Sequence, residues 1–110
     1  MSLRSRIASL PLAVLALLAA IPPAAAVDPA REAELTDLVR QDCGSCHGMT
    51  LKGGLGKSLQ PQDLEALDVE SIASIILEGI PGQPMPPWKG LISDADAAWI
   101  ARKLKEGFPQ

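Results

Sequence analysis

The chain has 110 residues, enough for one small domain, and carries 13 acidic against 10 basic residues for a net charge of −3. This balance argues against nucleic acid or an anionic membrane surface as a partner, because both attract basic proteins. So small a domain buries too little apolar surface to be comfortably stable, so we expect a covalent or metal-based staple.

The N-terminal segment has the pattern of a secretory signal peptide. Arg4 and Arg6 precede an apolar stretch over residues 7–21, and small residues with A-x-A spacing follow up to Ala26. A membrane anchor is the alternative, but a spanning helix needs about 20 apolar residues and this stretch is shorter. We expect cleavage after Ala26, which leaves residues 27–110 as the mature domain, located in the periplasm without stable membrane association.

The first element predicted in the mature domain is a helix from Asp28 to Val39. Asp28 suits the N-cap position, Pro29 suits the first helical position, and Leu35 belongs to a narrow apolar stripe. The segment 48–61 is predicted to be a loop, because several glycines interrupt any long regular element there.

A second helix is predicted to begin at Asp68 and to end at Gly79. Its buried face is predicted to consist of three isoleucines: Ile72, Ile75 and Ile76. Residues 80–88 follow with four prolines and one glycine, a composition that predicts an extended loop with little backbone freedom.

The last predicted helix has the clearest start signal. Ser93 and Asp96 form a capping-box pair, apolar residues including Trp99 follow on one side, and Gly107 ends the helix. No strand-like alternation or repeat occurs. The sequence therefore predicts an all-α fold of three main helices and two long loops, and long loops in so small a domain tend to be functional.

Residues Cys43 to His47 form a C-x-x-C-H motif, the attachment sequence of c-type haem. Two thiols on one helical turn can add across the two vinyl groups of a haem. The adjacent histidine then lies beneath the iron and supplies an imidazole nitrogen. Gly44 and Ser45 are small, so the backbone can approach the porphyrin closely.

Three other uses of the two cysteines are less consistent with the sequence. A disulfide between Cys43 and Cys46 closes a very short loop and stabilises little. A thioredoxin-like redox pair normally accompanies a βαβ pattern, which is not visible here. A zinc site needs four protein ligands, and after these cysteines and His47 no further thiol or histidine remains.

A second axial ligand can be argued by elimination. His47 is the only histidine, so the other soft donors are Met1, Met49 and Met85. Met1 leaves with the signal peptide, and Met49 is too near His47 to reach the opposite haem face. Met85 lies between prolines that stiffen the backbone, although a core methionine is the alternative. Histidine with methionine raises the reduction potential and fills both axial positions.

With these motifs, the segment from Val27 to Gln110 resembles a class I monohaem cytochrome c. Three stretches are most similar to the small c-55X cytochromes of denitrification gene clusters: Cys43 to Leu55, the Met85-Pro86-Pro87-Trp88 run, and Trp99 to Pro109. The resemblance implies the cytochrome c fold around one covalent haem c, held by Cys43 and Cys46 and ligated by His47 and Met85.

The resemblance also implies a periplasmic one-electron carrier, not an enzyme, with redox proteins as partners. Members of the c-55X group are linked to the cytochrome cd-type nitrite reductase, either as electron carriers or in making its special haem. The carrier is therefore the leading interpretation, and a redox factor in maturation of that haem is the alternative. A haem sensor or enzyme is a third reading, which requires Met85 to leave the iron.

Three residues are predicted to form the walls of the haem pocket, although each suits an ordinary core equally well: Leu59, Ile76 and Trp88. The chain departs from the family at Lys57, which replaces the proline that usually follows Gly56. Its backbone carbonyl is still expected to accept a hydrogen bond from the ligand histidine.

Three lysines fall in the two predicted haem loops: Lys52, Lys57 and Lys89. A basic collar of this kind could orient an acidic partner at the haem edge. Simple solvation of the three side chains is the alternative.

Overall fold

The computed structural model describes residues 27–108, so the predicted signal peptide lies outside the described residues. Its helices are α1 (Pro29–Leu38), α2 (Gly44–His47), α3 (Val69–Glu78) and α4 (Asp94–Glu106), with a π-helical turn at Val39–Cys43 and a 3₁₀ turn at Pro61–Asp63. Between residues 27 and 108, the only strand-like pairing is an isolated bridge between Lys89 and Ile92. The all-α prediction is confirmed. No helix in this range is long and apolar enough to span a bilayer.

Helix α1 and the C-x-x-C-H motif belong to one continuous helical rod. Asp28 caps the rod, because its side chain accepts a hydrogen bond from the backbone N–H of Arg31 at 2.9 Å. The rod then widens at the π-helical turn, where the N–H of Gly44 donates to the carbonyl of Val39, five residues back. The predicted helix therefore continues past Val39 and carries the motif directly.

The starts of α3 and α4 agree with the predictions. Asp68 caps α3 by accepting a hydrogen bond from the N–H of Ser71 at 2.7 Å. Ser93 and Asp96 form a complete capping box at α4, with each side chain 3.0 Å from the other's backbone nitrogen.

The predicted buried face of α3 needs one correction. Ile72 and Ile76 are buried, but Ile75 is only half-buried because it lies at the margin of the α3 face that enters the core.

One hydrophobic core joins the helices. Its largest fully buried side chains are Leu35, Val39 and Ile100, from the N-terminal rod and from α4. Trp99 and Phe108 pack edge to face with ring centroids 6.1 Å apart. The sequence did not predict Phe108 as a core residue.

Polar contacts also connect α1 with α4. The guanidinium of Arg31 donates to both carboxylate oxygens of Asp96, at 2.8 and 3.3 Å. The indole N–H of Trp99 donates to Glu32 at 3.2 Å. The hydrogen bond from Arg31 is the main cause that lowers the pKa of Asp96, although partial desolvation opposes it. These contacts place a charged carboxylate at the junction of the two helices.

Candidate functional site

The two cysteines of the motif lie on neighbouring turns at the end of the helical rod. Cys43 ends the π-helical turn, and Cys46 lies in the single turn of α2. Both are free thiols, with Cys43 half-buried and Cys46 exposed. Because residues three apart share one face of a helix, the rod presents both sulfurs on the same side. This arrangement suits attachment of one group at two points.

The Cys43 thiol is protonated at neutral pH. Burial raises its pKa to about 11, and the nearby carboxylate of Asp42 contributes in the same direction. A thiolate is the reactive form of cysteine, so Cys43 is not an activated nucleophile in this structure.

His47 is held by the backbone of the loop that follows it. Its Nδ1 lies 2.7 Å from the carbonyl oxygen of Lys57. Because a carbonyl only accepts hydrogen bonds, Nδ1 carries the hydrogen and Nε2 keeps the lone pair with which imidazole binds a metal. The hydrogen bond predicted for the Lys57 carbonyl is therefore present, although proline is missing at that position.

Glycines allow this loop to approach the motif. The N–H of Gly53 donates to the carbonyl of His47 at 2.8 Å, and that of Gly56 donates to the carbonyl of Cys46 at 2.7 Å. A carbon added to Gly56 would lie 2.7 Å from His47 Nδ1, well inside the optimal non-bonded separation of about 3.5 Å. The sequence predicted a loop from these glycines but missed that Gly56 packs directly against the imidazole of His47.

Met85 lies half-buried in the loop that follows α3. Its carbonyl oxygen accepts a hydrogen bond from the N–H of Ile80 at 3.3 Å. Further along the loop, the N–H of Trp88 donates to the carbonyl of Ile76 in α3 at 3.0 Å. The loop therefore folds back on the end of α3, with one backbone hydrogen bond at Met85 and another three residues later.

The three residues predicted as pocket walls all contact or belong to the core. Ile76 is a buried core residue, whereas Leu59 and Trp88 are half-buried and pack against the core cluster. Cys43 packs against the same cluster. The structure therefore places these side chains in or against the same apolar cluster that Cys43 contacts. Their contact with haem stays a prediction.

The donor atoms of the site suit haem c better than a bare metal ion. Within the described part of the chain, no three His, Cys, Asp or Glu side chains are grouped closely enough to hold a metal. Two free thiols on one helical face, beside an imidazole with Nε2 available, match two thioether bonds and one axial bond. Cys43 and Cys46 would hold the porphyrin, and His47 would bind the iron.

The charged residues of the two loops differ in their surroundings. Lys52 and Lys57 are exposed in the loop after His47. Lys89, in contrast, forms an ion pair with Glu78 at 3.1 Å, on the surface of the protein. This pair offsets the charge of Lys89, so the predicted basic collar is concentrated in the first loop.

Known proteins share both the sequence and the fold. The family model described as "Cytochrome C oxidase, cbb3-type, subunit III" matches residues 30–102. Cytochrome c55X of Paracoccus denitrificans is 49% identical over 91 residues, which cover 83% of this chain and 88% of the relative. The chain belongs to the cytochrome c55X family. This family comprises small c-type cytochromes of denitrification gene clusters, as the sequence motifs predicted.

Further members of the cytochrome c55X family support the assignment. The protein of that name from Pseudomonas aeruginosa is 50% identical over 80 residues, which cover 73% of this chain and 67% of the relative. A solved structure titled "c-type cytochrome NirC" has a TM-score of 0.72 at 49% identity, and the match covers 74% of this chain and 95% of that chain. The predicted cytochrome c fold is therefore confirmed.

A larger protein contains a region similar to this chain. Dihydro-heme d1 dehydrogenase of Pseudomonas aeruginosa is 34% identical over 85 residues, which cover 77% of this chain but 17% of the larger protein. A solved structure titled "Dihydro-heme d1 dehydrogenase NirN in complex with DHE" has a TM-score of 0.62 and is matched over 16% of its length. The likeness therefore concerns one part of that protein.

Proposed function

We propose that this c-type electron carrier is exported to the periplasm and delivers single electrons to a cytochrome cd-type nitrite reductase. It carries one covalent haem c, held by Cys43 and Cys46. The main support is the hydrogen bond from His47 to the Lys57 carbonyl, because it leaves Nε2 available beside two free thiols. Membership of the cytochrome c55X family supports the link to denitrification.

Each residue of the site has a defined task in this proposal. Bound haem supplies the one-electron redox change, and the protein supplies attachment, orientation and electrostatics. The Lys57 carbonyl fixes the ring plane of His47 and the tautomer of its neutral imidazole. Met85 would be the second protein ligand of the iron; it would then leave no position for a substrate, and a thioether ligand would raise the reduction potential. Water is excluded by the three predicted pocket walls, which are Leu59, Ile76 and Trp88.

The covalent attachment is tested on periplasmic protein by a reduced-minus-oxidised spectrum and a pyridine haemochrome assay. We expect one haem per chain that resists extraction into acidified organic solvent. Cys43→Ala and Cys46→Ala should each strongly reduce the yield of holoprotein. Haem that extracts completely from the wild type would overturn the attachment.

The axial assignment is tested by comparing the two methionines of the mature chain. Met85→Ala should lower the potential, remove the sulfur-to-iron charge-transfer absorbance of the oxidised protein, and permit binding of azide and cyanide. Met49 is 66% exposed, so Met49→Ala should change none of these properties and serves as the matched control. If Met85→Ala behaves like Met49→Ala, then Met85 is a packing residue and the sensor or enzyme reading gains support.

A second function has a specific observation in its favour. Part of a dihydro-heme d1 dehydrogenase is similar to this chain, and on that similarity we propose as the second candidate a redox factor in maturation of the nitrite reductase haem. Deletion of the gene separates the two roles. Nitrite reductase that is complete in its haem but slow to receive electrons supports the carrier, whereas reductase that lacks its special haem supports the maturation factor.

A further inference from the structure

The C-terminal end of α3 touches the backbone of the loop that carries Met85. Gly79 follows α3 with φ +69° and is buried. A carbon added to Gly79 would lie 2.7 Å from the carbonyl oxygen of Met85 and 2.9 Å from the nitrogen of Pro87. These are backbone atoms, which cannot turn aside as the end of a side chain can. Glycine is therefore required for the loop to lie where it does.

Backbone hydrogen bonds fix the same loop at Met85 and just after it. The carbonyl of Met85 accepts a hydrogen bond from the N–H of Ile80 at 3.3 Å. Two backbone bonds join the loop to the last turn of α3: Trp88 N–H to the Ile76 carbonyl at 3.0 Å, and Lys89 N–H to the Leu77 carbonyl at 3.1 Å. The last carbonyls of a helix lack partners within the helix, so the loop satisfies groups that would otherwise need water.

The prolines make the segment around Met85 stiff. Pro84, Pro86 and Pro87 have restricted φ angles and no N–H groups, so they cannot anchor the segment through donors of their own. A stiff segment moves as a unit, so its position is set by its contacts with the rest of the protein. Here those contacts are with the end of α3.

We propose that Gly79 is a positioning residue for Met85. The end of α3 fixes the backbone of Met85, and with it the reach of the thioether, before any bond to iron forms. The reduction potential and the closure of the second axial position then depend on α3 as well as on the methionine. This proposal rests on the axial role of Met85 proposed above, and pre-organisation is its physical basis.

The test compares Gly79→Ala with Gly82→Ala in the exported holoprotein. Gly82 lies in the same loop with a similar φ of +75°, but no atom lies within 4 Å of a carbon added there. Both variants place alanine at a positive φ, so only Gly79→Ala adds the contact with the Met85 backbone. Charge-transfer absorbance, azide affinity and reduction potential are measured in both.

We expect Gly79→Ala to weaken or lose the charge-transfer band, to lower the potential, and to bind azide about tenfold more tightly, because azide competes with a weakened sulfur ligand. Gly82→Ala should resemble the wild type. Equal spectra and azide affinities in the two variants would overturn the proposal. Absence of the band from the wild type would instead overturn the Met85 assignment, and the positioning role with it.

A second measurement applies even where Gly79→Ala gives no holoprotein. In Met85→Ala holoprotein, the amides of Trp88 and Lys89 should exchange hydrogen as slowly as in wild-type holoprotein, because α3 and not the iron holds the loop. Loss of that protection would show that the bond to iron organises the loop, and the proposal would fall.

Discussion

His47 and Lys57 are joined by a hydrogen bond from the imidazole Nδ1 to a backbone carbonyl, 2.7 Å long. The acceptor is a main-chain atom, so the lysine side chain plays no part in the bond. Lysine at this position therefore supplies the acceptor as proline would, and it lacks only the ring with which proline would stiffen the loop. The bond determines which nitrogen of His47 is available to a metal.

The first prediction concerns Gly56, which packs against the imidazole of His47. Gly56→Ala would place a carbon 2.7 Å from His47 Nδ1 and should turn the ring away from the Lys57 carbonyl. Loss of this bond makes the imidazole a poorer donor to ferric iron. The potential should therefore rise by about 40 mV, which corresponds to one hydrogen bond of ~1 kcal/mol. A spectroelectrochemical titration measures this change.

Lys57→Ala is the control for that measurement. It removes a charged side chain and leaves the carbonyl in place, so the potential should change much less than in Gly56→Ala. A wild-type potential in Gly56→Ala would contradict the role given to this glycine.

The second prediction uses the two carboxylates that Arg31 contacts. The Asp96 side chain is 9% exposed and that of Glu34 is 66% exposed. Asp96→Ala removes half of the capping box and the buried partner of Arg31, so it should lower the free energy of unfolding by about 2 kcal/mol. Glu34→Ala should cost less than about 0.5 kcal/mol, because exposed ion pairs stabilise little. Urea denaturation distinguishes these values, and equal losses would contradict the assignment.

The third prediction is the pH dependence of the Asp96 effect. The hydrogen bond from Arg31 is the main cause that lowers the pKa of Asp96 in the folded protein. A carboxyl with a lowered folded pKa stabilises the fold fully above its unfolded pKa of about 4, and this contribution is lost as the pH falls through the folded value. The stability difference between wild type and Asp96→Ala should be constant near neutral pH and shrink below about pH 4. A difference that grows in acid would contradict this reasoning.

The fourth prediction concerns the thiols before haem is attached. In the apoprotein at neutral pH, iodoacetamide should modify exposed Cys46 well before half-buried Cys43. Reaction of Cys43 should accelerate as the pH approaches about 11, the value to which burial raises its pKa. Mass spectrometry of timed samples follows each site. Equal rates at neutral pH would show that Cys43 is not protected by the core.

The sequence predicted the helix starts because their signals are local. The caps at Asp28, Asp68 and Ser93 each bond to a backbone nitrogen three residues ahead, so the whole signal lies within one turn. The contact between Arg31 and Asp96 joins residues 65 apart in the chain and could not be predicted in this way. The packing of Phe108 on Trp99 was missed for a related reason, since nothing near a chain end shows that it folds back.

The candidate site divides in the same way. The C-x-x-C-H motif is contiguous, and the Lys57 carbonyl could be predicted from its place in a known loop. The sequence could not show that Gly56 packs against the His47 ring or that Gly79 packs against the Met85 backbone. A glycine has no side chain whose chemistry points to a partner, and the need for it becomes visible only when the neighbouring atoms have been placed.

The π-helical turn at Val39–Cys43 sets the rotational phase of the rod. Each residue of an α-helix advances about 100° around the axis, so one extra residue in a turn rotates everything after it by that angle. The π-helical turn therefore sets the angle around the helix axis between the face that buries Leu35 and the face that carries Cys43 and Cys46. Deleting one residue there would give more regular hydrogen bonds and aim the thiols elsewhere. A more regular helix would therefore present the two thiols less well for attachment of a haem.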